Sequence, residues 1–194
     1  MPIEKTAVIP NPISKDYIFT PKQLNLSKPI ILHIGTLERK NLKRTIYALS
    51  PINCHLRIIG KIDKDIKDLL LENNIDYSNV SDLSNHDIIK EYIQCDFVNF
   101  PSTNEGFGMP IIEGQAIGRV IITSNISPMM EVAGNGAYFV NPYDILSIRN
   151  AYQKLLGDNN LCQNLINNGR KNIIRYKVER IAEDYLNIYK SIYD

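Results

Sequence analysis

The chain has 194 residues, of which 44% are hydrophobic and 22% are charged, and its 22 basic and 21 acidic residues leave a formal net charge of +1. This length suits one ordinary domain or two small ones, and a single domain would bury roughly 70% of its unfolded surface. The composition excludes a disordered or low-complexity chain, and the near-neutral charge argues against a nucleic-acid-binding protein.

Along the chain, an extended start gives way to alternating strands and helices. The first 29 residues hold five prolines and no sustained hydrophobic period, which predicts an extended linker. Strands are predicted at residues 29–35, 56–60, 96–100, 120–123 and 137–140, with at most a short strand within 75–83. Helices are predicted at residues 41–49, 63–72, 110–117, 144–156, 160–174 and 178–192, with others opening at Ser84 and Ser127. This alternation predicts an α/β fold with a doubly wound, parallel, Rossmann-like sheet.

The first candidate for a functional site is the loop after the first strand. Ligands of doubly wound sheets bind outside the carboxyl ends of the strands, between the first and fourth strands. Arg39 and Lys40 end the first of the two loops that meet there, just before a helix. Two cations and the amides of a helix N-terminus could bind a diphosphate at this point. Taken alone, such a basic pair is more often a solvated surface.

The loop after the fourth strand carries a more specific signal, the run Asn-Glu-Gly-Phe-Gly-Met-Pro-Ile-Ile-Glu at residues 104–113. Its glycines let backbone amides approach a ligand, and Pro110 suits the first turn of a helix. Glu113 would lie about one turn inside that helix and lean toward its N-terminus, so Glu105 and Glu113 face the same mouth. Carboxylates accept hydrogen bonds from hydroxyls, while amides and cations bind phosphates. The combination predicts a nucleotide sugar as ligand.

Three segments carry a family resemblance. Residues 105–113 match a Glu-x7-Glu motif, residues 35–41 read Gly-Thr-Leu-Glu-Arg-Lys-Asn, and residues 131–134 read Glu-Val-Ala-Gly. In these segments and in their spacing the chain resembles the retaining glycosyltransferases of the GT-B fold, often called glycosyl transferases group one. The resemblance covers residues 8–194 and only the C-terminal half of such an enzyme. It implies that residues 1–29 are a linker from a missing N-terminal acceptor domain and that residues 30–194 are the nucleotide-sugar-binding domain.

The resemblance also implies a role for each matching residue. Arg39 and Lys40 would hold the donor's diphosphate, Glu105 would take sugar hydroxyls, and these three form the implied catalytic set. Glu113 would take the ribose hydroxyls. The remaining donor-binding residues would be Gly35, Thr36 and Lys61, together with the amides of Gly106, Phe107, Gly108 and Met109.

The sequence departs from the family pattern at three places. Thr36 stands where many members have a second phosphate-binding arginine. Residues 80–84 look two or three residues short and lack the glycine usually found beside the base pocket. The run Gly-Arg-Val at residues 118–120 lacks the family's proline. The resemblance implies a GDP- or UDP-sugar as donor, and Gly35-Thr36 followed by Arg39-Lys40-Asn41 looks like members that use GDP-mannose.

Other candidate residues have simpler explanations. Asp63 and Asp65 form an Asp-x-Asp pair, the metal motif of a different glycosyltransferase fold, but they open a helix, where capping is expected, and no metal site is predicted. His33 lies within a strand and is expected to be a core histidine. Lys61 is equally compatible with nucleotide binding and with plain surface. The last helix has an apolar stripe (Ile181, Tyr185, Ile188 and Ile192) that predicts core packing, part of which the missing domain could cover.

The resemblance and the two loops together predict sugar transfer from a nucleotide sugar to an acceptor glycan or lipid, with no cofactor, and with the acceptor bound by the missing domain. That domain could also carry peripheral membrane association. The alternatives are a non-catalytic binding or interaction module of the same fold and, more weakly, a nucleotide-sugar epimerase. The longest apolar runs fall short of a membrane span and no signal peptide is evident, so a soluble, cytoplasmic protein is expected. Its three cysteines are expected to be reduced.

Overall fold

The computed structural model of the chain describes residues 6–193. A single six-stranded sheet forms its centre, with every neighbouring pair parallel and the order β3-β2-β1-β4-β5-β6. The strands are β1 (Ile30–Ile34), β2 (His55–Ile59), β3 (Tyr77–Val80), β4 (Phe97–Phe100), β5 (Val120–Ser124) and β6 (Tyr138–Val140). The predicted doubly wound, Rossmann-like sheet is confirmed, and its order reverses between β1 and β4 as expected.

Eight helices occur within the described residues. They are α1 (Leu42–Leu49), α2 (Lys64–Glu72), α3 (Asn85–Gln94), α4 (Met109–Ile117), α5 (Met129–Ala133), α6 (Ile145–Leu156), α7 (Asn159–Asn172) and α8 (Val178–Tyr193). Asp63 and Ser84 cap α2 and α3 by accepting the amides of Ile66 and Asp87, which confirms the predicted capping. The predicted helix at 160–174 ends two residues early because a 3₁₀ turn, Ile173–Tyr176, follows it.

The sheet is covered on both faces. One core cluster packs α1 and α6 beneath the sheet, with Ile46, Leu49 and Leu155 fully buried. The other packs α4 against the opposite face, with Ile111 and Ile112 fully buried. Two-sided burial explains why the strands are nearly continuous apolar runs.

Residues 6–29 form neither helix nor strand, but their second half is tied to the domain. The buried Asp96 carboxylate accepts the amides of Asn25 (3.1 Å) and Ile30 (2.8 Å) and pairs with Lys22 (2.7 Å). The buried Arg119 guanidinium donates to the Thr20 carbonyl at 2.9 Å. The absence of helix and strand agrees with the prediction from residue 6 onward, with a turn at residues 15–16 and bends at 26–28. Residues 1–5 of the predicted linker lie outside the described residues, and its role as a linker stays a prediction.

The last helix differs from its predicted core packing. Ile181 is 4% exposed, but Tyr185 and Ile192 are 48% and 69% exposed. Core packing is therefore confirmed at Ile181 and wrong at Tyr185 and Ile192, whose side chains stay open to solvent, which agrees with the expectation that part of the stripe is uncovered.

Cys54, Cys95 and Cys162 are buried and form no disulfide, as expected. Among the described residues, no helix has both the length and the apolar character needed to cross a bilayer.

Candidate functional site

The two predicted loops meet at the carboxyl ends of β1 and β4. These strands pair directly, with Leu32 opposite Val98. Beyond them, the amide of Thr103 donates to the carbonyl of Arg39 at 2.8 Å. The sheet topology therefore brings residues 35–41 and 101–108 together.

The first loop is folded tightly around Lys40. Gly35 has φ +90°, and a Cβ there would lie 3.1 Å from Cγ and Cε of Lys40, so the lysine stem runs over the glycine. Asn41 ends the short 3₁₀ turn Glu38–Lys40 in the left-handed region, at φ 67°. Its buried amide donates to the carbonyls of Pro101 (2.9 Å) and Pro142 (2.6 Å). These bonds fix the loop and with it the position of both cations.

Lys40 and Glu105 form the centre of the site. The Lys40 Nζ donates to Oε1 of Glu105 at 2.7 Å and lies 4.6 Å from the centroid of the Phe100 ring. The two side chains are only 14% and 9% exposed, while Arg39, with NH1 3.8 Å from the same Oε1, is 43% exposed. One carboxylate thus balances both of the cations that sequence analysis assigned to a diphosphate.

The second loop presents backbone amides. Within the described residues, the N–H groups of Gly106, Phe107 and Gly108 donate no hydrogen bond to the protein. Gly108 has φ +111° and precedes α4, and the space beside Gly106 is open. The Phe107 ring packs edge-on against Tyr176 at 5.8 Å, and Met109 packs against the core. The Phe107 and Met109 side chains thus pack inward, and the unbonded amides at the start of α4 are available to bind an anion.

Glu113 is held by tyrosines that sequence analysis did not assign to the site. The buried Tyr92 hydroxyl donates to Oε2 of Glu113 at 2.6 Å. Burial raises the pKa of Glu113, while hydrogen bonds from Tyr92 and Tyr17 and the charge of Lys40 act in the opposite direction. Tyr92 looked like an ordinary apolar position of α3 and Tyr17 like part of a linker, so no local signal marked either of them.

Thr36 and Lys61 lie at the edge of this arrangement. The Thr36 hydroxyl donates to the Lys61 carbonyl at 2.6 Å, so the backbone of Lys61 is next to the first loop. The Lys61 ammonium, however, is 3.5 Å from Asp82, and both side chains are largely exposed. The structure brings Thr36 beside Lys61, whose side chain forms a surface pair.

The histidines and acidic pairs outside the loops do not form a second centre. In the described part of the chain, no three His, Cys, Asp or Glu residues are grouped so that they could hold a metal ion. Asp63 is occupied as the cap of α2. His33 is a core histidine, as expected: it is 1% exposed, its Nδ1 lies 2.9 Å from the Asn99 amide, and burial together with Lys40 lowers its pKa to about 4.

Taken together, the loops and the helix at the carboxyl ends of β1 and β4 carry cations, free amides and carboxylates. Cations and amides suit phosphate oxygens, and Glu105 and Glu113 suit hydroxyls. The chemistry of this set matches a diphosphate that carries polyhydroxylated groups.

Comparison with known proteins gives a consistent family. The family model described as "Glycosyl transferases group 1" matches residues 14–172. A glycosyltransferase of Methanocaldococcus jannaschii, MJ1178, is 23% identical over 199 residues, covering 98% of this chain and 55% of the relative. The serotype-specific mannosyltransferase WbdA of Escherichia coli is 29% identical over 148 residues, covering 69% of this chain and 18% of that protein.

Solved structures agree on the fold. Sucrose-phosphate synthase from Thermosynechococcus elongatus superposes with a TM-score of 0.82 at 22% identity, covering 95% of this chain and 52% of that one. This agreement confirms the fold that the family resemblance implied, a Rossmann-like α/β domain of a GT-B glycosyltransferase. The chain spans about half the length of the first relative and of this structure.

Proposed function

This chain belongs to the glycosyl transferases group 1 family, and from its site we propose that it is the donor-binding half of a retaining glycosyltransferase. The donor is a GDP- or UDP-sugar, and the acceptor is a glycan or lipid bound by an N-terminal domain. No cofactor is needed. The observation that carries the proposal is the convergence of Arg39, Lys40, Glu105 and the free amides before α4 at the β1–β4 switch point.

Each part of the donor has a partner in this arrangement. Arg39, Lys40 and the amides of residues 106–109 bind the diphosphate and stabilise the negative charge that develops on it as the sugar leaves. Glu105, which lies next to these cations, accepts hydrogen bonds from hydroxyls of the sugar. Glu113, one turn inside α4, accepts hydroxyls of the ribose.

Titration calorimetry with GDP, UDP and ADP and with the corresponding nucleosides tests the proposal. At least one diphosphate should bind much more tightly than its nucleoside. Lys40→Met should remove most of that difference, whereas Lys43→Met, which alters an exposed lysine on α1, should leave it intact. Equal affinity for nucleosides and diphosphates would contradict the proposal.

Transfer itself requires a positioned acceptor, since positioning supplies much of the rate. The 194-residue chain should therefore bind donor but transfer little sugar, and fusion to an acceptor domain of the family should restore transfer with retention at the anomeric carbon. Donor binding without transfer in such a fusion would point to the non-catalytic module instead.

A further inference from the structure

The Glu113 carboxylate is anchored by a phenol from another element. Tyr92 lies on α3, is 0% exposed and donates to Oε2 of Glu113 at 2.6 Å. A hydrogen bond to a charged acceptor is stronger than a neutral one, and a side chain without free space cannot follow a moving partner. Tyr92 therefore fixes one oxygen of Glu113 in space.

A second phenol supports the first from the segment before β1. The Tyr17 and Tyr92 rings meet edge to face, with centroids 5.8 Å apart and planes at 73°. Tyr17 is half-buried, and burial together with the nearby charge of the Glu113 carboxylate raises its pKa. Tyr17 and Tyr92 form one aromatic wall beside Glu113.

Glu113 relies on these phenols because no cation pairs with it directly in the described residues. Lys40 acts on it only through space, by lowering its pKa against the effect of burial. One oxygen of this carboxylate is fixed, and its remaining lone pairs are free. The carboxylate can therefore accept hydrogen bonds from ligand hydroxyls only in the direction in which those lone pairs point. The neighbouring 2′- and 3′-hydroxyls of a ribose match such an acceptor.

We propose that Tyr92 is a specificity-determining residue, which holds the Glu113 carboxylate so that the site selects ribonucleotide donors over 2′-deoxyribonucleotide donors. Tyr17 assists by packing against Tyr92 and through its electrostatic interaction with the same carboxylate. The inference rests on the proposed function, in which Glu113 binds the ribose. Tyr92 is a positioning residue: it acts on the ligand through Glu113.

The test is the ratio of two affinities measured in each variant. Titration calorimetry of the full chain with GDP and 2′-deoxy-GDP, or with UDP and 2′-deoxy-UDP, gives this ratio without depending on the fraction of active protein. The wild type should prefer the ribonucleotide by roughly tenfold, the value of one good hydrogen bond to a charged group. Tyr92→Phe should reduce this preference by roughly three- to tenfold, because it should lower the affinity for the ribonucleotide and hardly change the affinity for the deoxynucleotide.

A matched control separates this role from general loosening of the core. Tyr152 is also 0% exposed, and its hydroxyl donates to Asn99 at 2.7 Å rather than to Glu113. Tyr152→Phe removes a comparable buried bond and should keep the wild-type ratio. If Tyr92→Phe does not fold, Tyr17→Phe at the half-buried position should show a smaller narrowing of the same kind.

Adding Tyr92→Phe to Glu113→Gln should narrow the ratio no further than Glu113→Gln alone. A wild type that discriminates, combined with a Tyr92→Phe variant that discriminates equally well, would overturn the inference and leave the proposed function standing. If the wild type binds the ribonucleotide and the 2′-deoxyribonucleotide equally tightly, Glu113 does not recognise the ribose and the inference is overturned. The proposal that the site binds a diphosphate would still stand. A wild type that binds no nucleoside diphosphate would overturn both.

Discussion

The Lys40 ammonium lies 2.7 Å from Oε1 of Glu105, in a pair whose side chains are 14% and 9% exposed. A residue assigned to phosphate and a residue assigned to sugar are thus each other's partner before any ligand arrives. In the proposed site, a diphosphate therefore competes with Glu105 for Lys40. A bare diphosphate leaves the displaced carboxylate without a new partner, whereas a full donor offers it sugar hydroxyls.

This pairing predicts an unusual result for Glu105→Gln. Removing the charge frees Lys40 and should tighten binding of the bare nucleoside diphosphate by about three- to tenfold, since a charge-assisted bond is no longer lost. Binding of the full nucleotide sugar should improve less or weaken. Calorimetry with both ligands checks this, and weaker binding of the bare diphosphate would show that Glu105 does not compete for Lys40.

Arg39→Ala should lower the affinity for the nucleoside diphosphate about ten- to a hundredfold and leave the affinity for the nucleoside unchanged. In the proposed site the exposed guanidinium beside Glu105 binds phosphate, and a charge-assisted bond of this kind is worth roughly 1.5 to 3 kcal/mol. Arg180→Ala, which alters an exposed arginine on α8, serves as the control. Equal losses for the nucleoside and the diphosphate would assign Arg39 to the base or to the fold.

His33 should make the protein less stable in mild acid. Burial lowers its pKa from 6.5 to about 4, so the native state favours the neutral ring. The stability that this provides is complete above pH 6.5 and is lost as the pH falls toward 4, at up to about 1.4 kcal/mol per pH unit. Urea unfolding of wild type and His33→Asn between pH 7 and 4.5 measures the effect.

The variant His33→Asn is chosen because its side-chain oxygen can accept the bond that Asn99 donates to Nδ1 of His33. The difference in unfolding free energy between wild type and variant should shrink as the pH falls. A difference that stays constant with pH would mean that His33 does not titrate in this range.

Much of the fold could be predicted because local patterns and tertiary demands agree. Ser84 and Asp63 cap the helices that their sequence context indicates, and apolar runs such as residues 120–123 become buried strands. The last helix could not be predicted in the same way. Its stripe has helical period, but period alone does not reveal whether a partner surface exists in the same chain, and Tyr185 and Ile192 find none among the described residues.

The candidate site divides along the same line. Residues that are close in sequence, such as Glu105 and Gly108, could be identified as site residues from their spacing. The parallel topology then predicted that their loop would lie next to Lys40. Tyr92 and Tyr17 could not be found, because their contact with Glu113 depends on how α3 and an irregular segment pack on α4. Side-chain contacts between distant elements leave no periodic trace in a sequence.

Asp96 should be a key residue for holding the segment before β1. Its buried carboxylate accepts two backbone amides and pairs with Lys22, and Asp96→Asn would place a donor against these donors. We expect a loss of about 2 to 3 kcal/mol in unfolding free energy. Asp76→Asn, which alters a half-exposed pair with Lys28, should change it by less than about 1 kcal/mol.

Chemical denaturation measures both variants, and limited proteolysis within residues 20–30 should be faster in Asp96→Asn. Similar stability losses for the two variants would show that the segment is held by its apolar contacts rather than by Asp96.

Nucleoside diphosphate affinity should be the same in EDTA and in magnesium. In the proposed site, Arg39, Lys40 and the amides before α4 supply the positive charge that a metal ion would otherwise bring. Glu105 is paired with Lys40, Asp63 is occupied as a helix cap, and the described residues contain no cluster suited to a metal. Calorimetry in the two buffers should agree within about twofold. If EDTA instead causes a large loss of affinity, Asp63→Ala and Asp65→Asn become the decisive variants: loss of the magnesium effect in either would show that the Asp-x-Asp pair takes part in binding.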